Sequence, residues 1–219
     1  MLRRATASKP IRRRIKGTRT RAEIVAAAEI HFATRGYEAA RLEDIAAEVG
    51  IRRAAIFYHF GDKQELYAAV LDDVFRDGTA ALPTEGSPAR RLEASLIGWI
   101  DYIARRPTVA RLILREAANA QPGSVSQFVR SGSASVKWFQ AVIDEGVASG
   151  ELKPIIEPYR FMSLVGAMTV YHFAAMPWLT VGKAIHPWGR DEIEKHKREI
   201  LLVARTMLGI TSSRPGGIR

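Results

Sequence analysis

Cysteine is absent from the 219 residues. Without a thiol there is no disulfide scaffold, no thiolate zinc site and no cysteine nucleophile, and a reducing compartment fits such a chain. Sustained alternation of apolar and polar residues between turn pairs is also missing, so no sheet is expected. There is no glycine-rich phosphate loop. The five histidines, His31, His59, His172, His186 and His196, are scattered without metal-ligand spacing. No nucleophile, base and orienting group can be assembled from these residues, so neither catalysis nor a bound metal or cofactor is expected. No apolar run of about 7–15 residues follows the basic start, as a secretory signal would need. Leu2, Ile11 and Ile15 make a poor apolar stripe for a transit peptide.

Acids are missing from residues 1–21, which hold nine of the 33 bases: Arg3, Arg4, Lys9, Arg12, Arg13, Arg14, Lys16, Arg19 and Arg21. The remainder balances 24 bases against 23 acids, so nearly all of the net charge of +10 sits in one arm. A polyanion is the obvious partner for such an arm, and a solvated tail without a partner is the plainer reading. Charge of either sign is missing from residues 161–182, about the length of a membrane span. Ser163, Thr169, Tyr171, His172, Pro177 and Thr180 interrupt that stretch, which suits a helix buried in a helical core or between two subunits better than a span.

What is present reads as helix almost throughout. Hydrophobic residues at 47% and charged residues at 26% are ordinary for a globular chain with room for a core. Thr20-Arg21-Ala22-Glu23 has the form of a capping box, Ile24, Ala27, Ala28 and Phe32 follow at helical spacing, and Gly36 is a C-terminal stop. A short helix over 42–49 puts Ile45, Ala46 and Val49 on one face and breaks at Gly50. A third covers about 52–58, and Asp62 with Glu65 caps a fourth over about 63–82. Pro83 to Pro88 is a linker in which Ser87 caps the next helix. Further helices are expected at about 88–105, 107–119, 124–149 (with Ser124 and Gln127 as another capping box), 157–181 and 189–209.

The pair 42–49 and 52–58, joined at a glycine, is a helix-turn-helix candidate. Its alternative is an ordinary helical hairpin in an all-α core. The second helix leaves Arg52, Arg53, Tyr58 and His59 free of core duty. Two projecting arginines suit the major groove, because a guanidinium bonds guanine O6 and N7 together. Tyr58, His59 and Lys63 suit phosphates, which position the protein without specifying sequence. With the basic arm immediately upstream, double-stranded DNA is the expected partner.

Thr20 to Val25 with Ala27-Ala28, Phe32-Ala33-Thr34-Arg35-Gly36-Tyr37, Asp44-Ile45-Ala46 with Gly50-Ile51, Ile56-Phe57-Tyr58-His59-Phe60 and Lys63-Gln64-Glu65-Leu66 together resemble the DNA-binding domain of the TetR-type (tetracycline-repressor) family. The resemblance spans about residues 20–66 and does not extend visibly into 88–219. It implies an all-α fold of about nine helices. Its parts would be a basic disordered arm (1–18), a helix-turn-helix domain (19–66) and a helical effector-binding and dimerisation domain (67–219). The family has Thr or Ser where Ala40 and Arg41 stand, so Arg41 would reach a phosphate as a cation instead of capping. Arg52 and Ala54 replace a Ser and a Gly. Phe57 replaces a phosphate-binding Tyr whose contact Tyr58 would take over. Readout would rest on Arg53, with Arg52 or Ala55 as substitutes, and Arg12, Arg13 and Arg14 would lie along the minor groove.

The resemblance further implies a homodimer through about 157–181 and 189–209, a palindromic operator, a small-molecule inducer and a cytoplasmic location. Candidate ligand-lining residues are Trp99, Tyr102, Arg115, Glu116, Asn119, Trp138, Phe139, Met168, His172 and Met176, although for each aromatic or methionine plain core is the commoner role. Their character favours an apolar or aromatic effector, a cationic one included. The competing functions are a basic membrane-associated protein using the arm and 161–182, and a protein that coats DNA without sequence preference.

Overall fold

The computed structural model describes residues 9–80, 82–119, 127–183 and 185–210, with residues 9–19, 127–129 and 177 as backbone. Among the described residues the chain forms nine helices and no strand: α1 Lys9–Ala39, α2 Leu42–Val49, α3 Arg53–His59, α4 Lys63–Thr79, α5 Pro88–Arg105, α6 Thr108–Asn119, α7 Gln127–Ala148, α8 Pro158–Leu179 and α9 Arg190–Leu208. The chain divides into two compact units, and the division falls inside α4, between Asp73 and Val74.

The first unit is built on α1. Ile24, Ala28 and Phe32 are buried along one face of it, and Ile45, Ile56, Phe60, Leu66 and Val70 close the core from the three following helices. Each large apolar side chain so buried contributes about 1.5–3 kcal/mol. The Phe32 and Tyr67 rings meet edge to face at 4.8 Å, which seats α4 on α1. Helix α1 is broken at Gly36, where φ is 82° and ψ 168°, so the glycine ends the long rod as its position suggested.

The start of α1 differs from the sequence reading. The helix begins at Lys9, and residues 9–18, read as part of a disordered arm, belong to its first turns. Arginine and lysine are good helix formers, and Pro10 sits in the first turn, where its missing N–H costs no bond. Thr20 therefore lies inside a helix and not at its start. Residues 1–8, and the capping box expected at Ser124, lie outside the described residues.

In the second unit α5 packs against α6, α7, α8 and α9, and α8 packs in turn against α6, α7 and α9. Leu92, Ile100, Ile103, Val109, Leu112, Phe161, Phe173, Ile200 and Leu208 are buried between them. Ion pairs tie α7 and α9 to α5. Arg205 of α9 grips Glu93 through Nε at 2.7 Å and Nη2 at 3.1 Å. Lys197 of α9 reaches Asp101 at 2.7 Å, and Arg91 pairs with Glu145 of α7. Ser87 precedes Pro88 at the start of α5 but does not cap it, because its hydroxyl donates to Glu151 at 2.6 Å.

At its far end α9 stops at Gly209, whose φ of 61° is left-handed. The amides of Lys153 and Ile155 donate to the carbonyls of Leu208 and Met207, each at 2.9 Å. Those carbonyls have no partner within the helix, so the stretch between α7 and α8 is stitched to the end of α9. A Cβ at Gly209 would collide with the Lys153 carbonyl oxygen.

Candidate nucleic-acid interface

The helix pair foreseen in the sequence is present. Helix α2 is tied to α1 at two points: His31 Nε2 meets Glu48 Oε2 at 2.7 Å, and Arg35 pairs with Asp44. It ends at Gly50, with φ 72° and ψ 33°. The Gly50 amide donates to the Ala47 carbonyl at 3.1 Å and the Ile51 amide to that of Ala46 at 2.9 Å, the paired bonds of a Schellman turn. A Cβ at Gly50 would meet nothing within 4 Å, so the glycine is there for its φ and not for space.

Arg52 is the residue before α3, in extended conformation, and the helix runs from Arg53 to His59, one residue later than the spacing suggested. Ile56 is its buried anchor, and Phe60 is buried just beyond. Arg21 of α1 lies over the Phe60 ring at 4.7 Å from its centroid, holding the end of α3. The rest of α3 faces outward. Arg52, Arg53 and Ala54 are exposed, Ala55 and His59 are half-buried, Phe57 is 42% exposed and Tyr58 76%. A helix of seven residues that buries only Ile56 fully keeps a face of Arg53, Ala54, Phe57 and Tyr58 open to a partner.

The remaining candidates are placed as follows. Arg41 is exposed beside α2, in extended conformation, and makes no side-chain cap. Lys63, at the first position of α4, donates from Nζ to the Glu38 carbonyl at 3.0 Å and lies 4.7 Å from the centre of the Tyr37 ring. Burial, then Glu38 and Asp62, raise the Tyr37 phenol above its usual pKa. The cap expected on α4 is formed: the Glu65 amide donates to Asp62 Oδ1 at 2.7 Å, and the Gly61 amide to Glu65 Oε2 at 2.8 Å. Arg12, Arg13 and Arg14 lie in the part of α1 described as backbone.

One participant escaped the sequence reading. Glu43 of α2 holds Arg53 Nη1 at 3.0 Å from its Oε1 and stands 4.0 Å from Arg41 Nε through its Oε2. The guanidinium of Arg53 is also 5.3 Å from the centre of the Phe57 ring. The only available signal was the separation of Glu43 and Arg53 across the turn, which carries no regular spacing rule.

In the second unit the ligand-lining candidates fall into separate groups. Trp99 and Tyr102 lie with ring centroids 5.8 Å apart. Tyr102 donates its hydroxyl proton to the Val74 carbonyl at 2.9 Å and accepts from Arg106 at 3.1 Å. Trp138 and Phe139 meet edge to face at 5.0 Å. Arg115, Glu116 and Met176 are half-buried, and Asn119 and Met168 are exposed. His172 stacks on His196 of α9, with centroids 4.0 Å apart and 16° between planes. Thr169 Oγ1 and the Nε2 atoms of both histidines are buried without a hydrogen-bond partner. Among the described residues no three His, Asp or Glu are placed to hold a metal ion. No described helix is long and apolar enough to cross a membrane.

An all-helical chain with a helix-turn-helix unit followed by a larger helical unit is the architecture of a class of DNA-binding transcription regulators. Two family models identify which. Residues 24–70 match the one described as bacterial regulatory proteins, tetR family, and residues 85–172 match the tetracyclin repressor-like C-terminal domain. The chain belongs to the tetR family, whose members are regulators and not enzymes. The second match also carries the likeness into residues 85–172, where it was not visible in the sequence.

Among curated relatives, the HTH-type transcriptional activator FasR of Mycolicibacterium smegmatis is 32% identical over 48% of this chain and 49% of its own. The HTH-type transcriptional repressor SCO4008 of Streptomyces coelicolor is 34% identical over 44% of this chain and 49% of its own. The chain thus spans about half the length of these two relatives. In fold, a bacterial regulatory protein of the tetR family from Rhodococcus RHA1 superimposes with a TM-score of 0.68 at 20% identity, over 88% of this chain and 98% of that one.

Proposed function

We propose that this chain is a homodimeric, sequence-specific transcription regulator that occupies a palindromic operator and is released from it by a small molecule. The observation that carries the reading is α3: a short helix anchored by Ile56, with Arg53, Ala54, Phe57 and Tyr58 on its open surface. The DNA-binding module occupies residues 19–66, with Arg53 as principal reader. Arg41, Tyr58, His59 and Lys63 are its phosphate contacts, and Arg12, Arg13 and Arg14 reach the minor groove. Residues 67–219 bind the effector and dimerise. The protein works in the cytoplasm.

Support for dimerisation comes from α8. Leu164, Met168, Tyr171 and Trp178 repeat at helical spacing on one face and are 39–62% exposed. Leu202 of α9 is 67% exposed. An apolar stripe of that length is what a partner subunit would cover. Release follows from linkage. A ligand that binds better to the conformation with misplaced reading helices lowers DNA affinity, and DNA lowers ligand affinity by the same factor. A repressor is the expected form.

The test is selection from a random-sequence duplex pool by the full chain, followed by titration of the enriched duplex. Enrichment of an inverted repeat, bound by two chains, is expected. Binding of all duplexes alike, with steep salt dependence, would make the protein a DNA coat, and no binding in moderate salt would remove the reading altogether.

A further inference from the structure

Two of the arginines offered to DNA share one acid. Glu43 presents Oε1 to Arg53 at 3.0 Å and Oε2 toward Arg41 at 4.0 Å. Arg53 is held on a second side by Phe57, whose ring centre is 5.3 Å from its guanidinium carbon. The side chains of Glu43, Arg53 and Arg41 are 46%, 56% and 71% exposed. Ion pairs at such exposure stabilise a fold weakly, because water screens them and two long side chains must be ordered. Stability alone therefore gives little reason for a carboxylate amid the cations of a DNA-facing surface. Toward DNA its consequences are larger and of two kinds. Its negative charge cancels part of the attraction that draws any phosphate to Arg41 and Arg53. Its bond to Arg53, with the Phe57 face opposite, restricts the rotamers of a side chain whose value as a reader depends on a planar fork meeting guanine O6 and N7 together.

We infer that Glu43 is a positioning residue for sequence discrimination: it holds the Arg53 fork over Phe57 and withholds Arg53 and Arg41 from phosphates on unselected DNA. The inference rests on the DNA-binding reading above. On a random duplex the arginines gain a phosphate only by leaving Glu43. On the correct site Arg53 gains two directed bonds from a position already restricted. Removing the charge thus strengthens binding to the wrong sequences while weakening the preference for the right one.

The full-length wild type, Glu43→Gln, Glu43→Asp, Arg53→Ala and the Arg53→Ala/Glu43→Gln double variant are each used to select from one random-sequence duplex pool. Affinities are then measured across salt for the duplex enriched by the wild type and for a scrambled duplex of the same composition. Glu43→Gln is expected to bind the scrambled duplex several-fold tighter, with a salt slope steeper by about one, the release of about one more counterion. Its ratio of selected to scrambled affinity is expected to fall about tenfold, an effect the size of one base contact. Glu43→Asp retains most of that ratio, because it keeps the charge. In the Arg53→Ala background Glu43→Gln changes no base preference. A Glu43→Gln protein with an unchanged ratio overturns the inference. So does an equal loss of preference with and without Arg53. A parallel weakening on both duplexes with a lowered melting temperature also overturns it, since that marks an acid serving only the start of α2. If the wild type enriches no sequence, the DNA-binding reading itself fails and this inference falls with it. A wild type that enriches a motif leaves the Glu43 comparison to decide the inference alone.

Discussion

Lys63 divides its ammonium between two tasks. One proton goes to the Glu38 carbonyl at 3.0 Å, and the charge lies over Tyr37. The turn after Gly36 is thereby fastened to the start of α4, while two protons are left for a phosphate. Lys63→Ala is expected to weaken binding to selected and scrambled duplexes by the same factor and to cost about 1 kcal/mol of stability in chemical denaturation. A loss confined to one sequence would contradict a phosphate role. His196 gives a pH dependence. Burial, then the neighbouring His172, brings its pKa down to about 4 from an ordinary 6.5. His172 is lowered by burial and Lys195, against the pull of Glu199 and Glu192. Above pH 6.5 the His196 ring is neutral folded or unfolded and adds no dependence. Between 6.5 and 4 the unfolded chain binds the proton more readily, so stability falls as pH falls. His196→Phe should flatten the denaturation midpoint between pH 7 and pH 5, and an unchanged slope in that variant would place the titrating group elsewhere. The stack was not legible in the sequence. His172 and His196 are 24 residues apart on two helices, and only packing reveals that their rings meet.

Helices were legible where local chemistry decides them. Gly50, the Asp62–Glu65 cap and Pro88 marked ends that the backbone respects, because a left-handed turn, a capping carboxylate and a missing N–H act over a few residues. Thr20 and Ser87 misled for the opposite reason: each matches a cap by type, yet one lies within a continuous rod and the other is claimed by Glu151. On α9 the acid–base pairs are three residues apart, Glu192–Lys195 at 4.0 Å and Glu194–Lys197 at 2.7 Å, and Lys197 also reaches Asp101 on α5. The turn between α2 and α3 supplies the sharpest test. Gly50→Ala forces φ near 72° on a residue with a Cβ, which costs about 1–2 kcal/mol and lowers the melting temperature by several degrees. Space around it is open, so packing does not enter. A melting temperature unchanged by the substitution would mean that the turn relaxes into another form.

Assembly is where the sequence said least about particular residues and most about a region. A stretch of 22 residues without charge announced a helix that must be covered, but not which of its sides. The structure divides it: Phe161, Val165, Thr169 and Phe173 face the unit's own interior, while Leu164, Met168, Tyr171 and Trp178 remain open. Met168, an expected ligand contact, is on the open side, which favours a partner subunit as its neighbour. Tyr171→Glu alters a side chain 52% exposed, so folding should be unaffected. The variant is expected to sediment as a monomer and to bind an inverted-repeat duplex about a hundredfold more weakly, having lost its second reading head. A variant that stays dimeric would move the subunit contact off α8. The stitch between Lys153, Ile155 and the last turn of α9 bears on the same surface. It clamps the foot of α9 to the strand of backbone that leads directly into α8, so neither helix can slide lengthwise without the other. Whatever docks on that side meets two helices joined end to end by those bonds, so a load on α8 would pass to α9 through them.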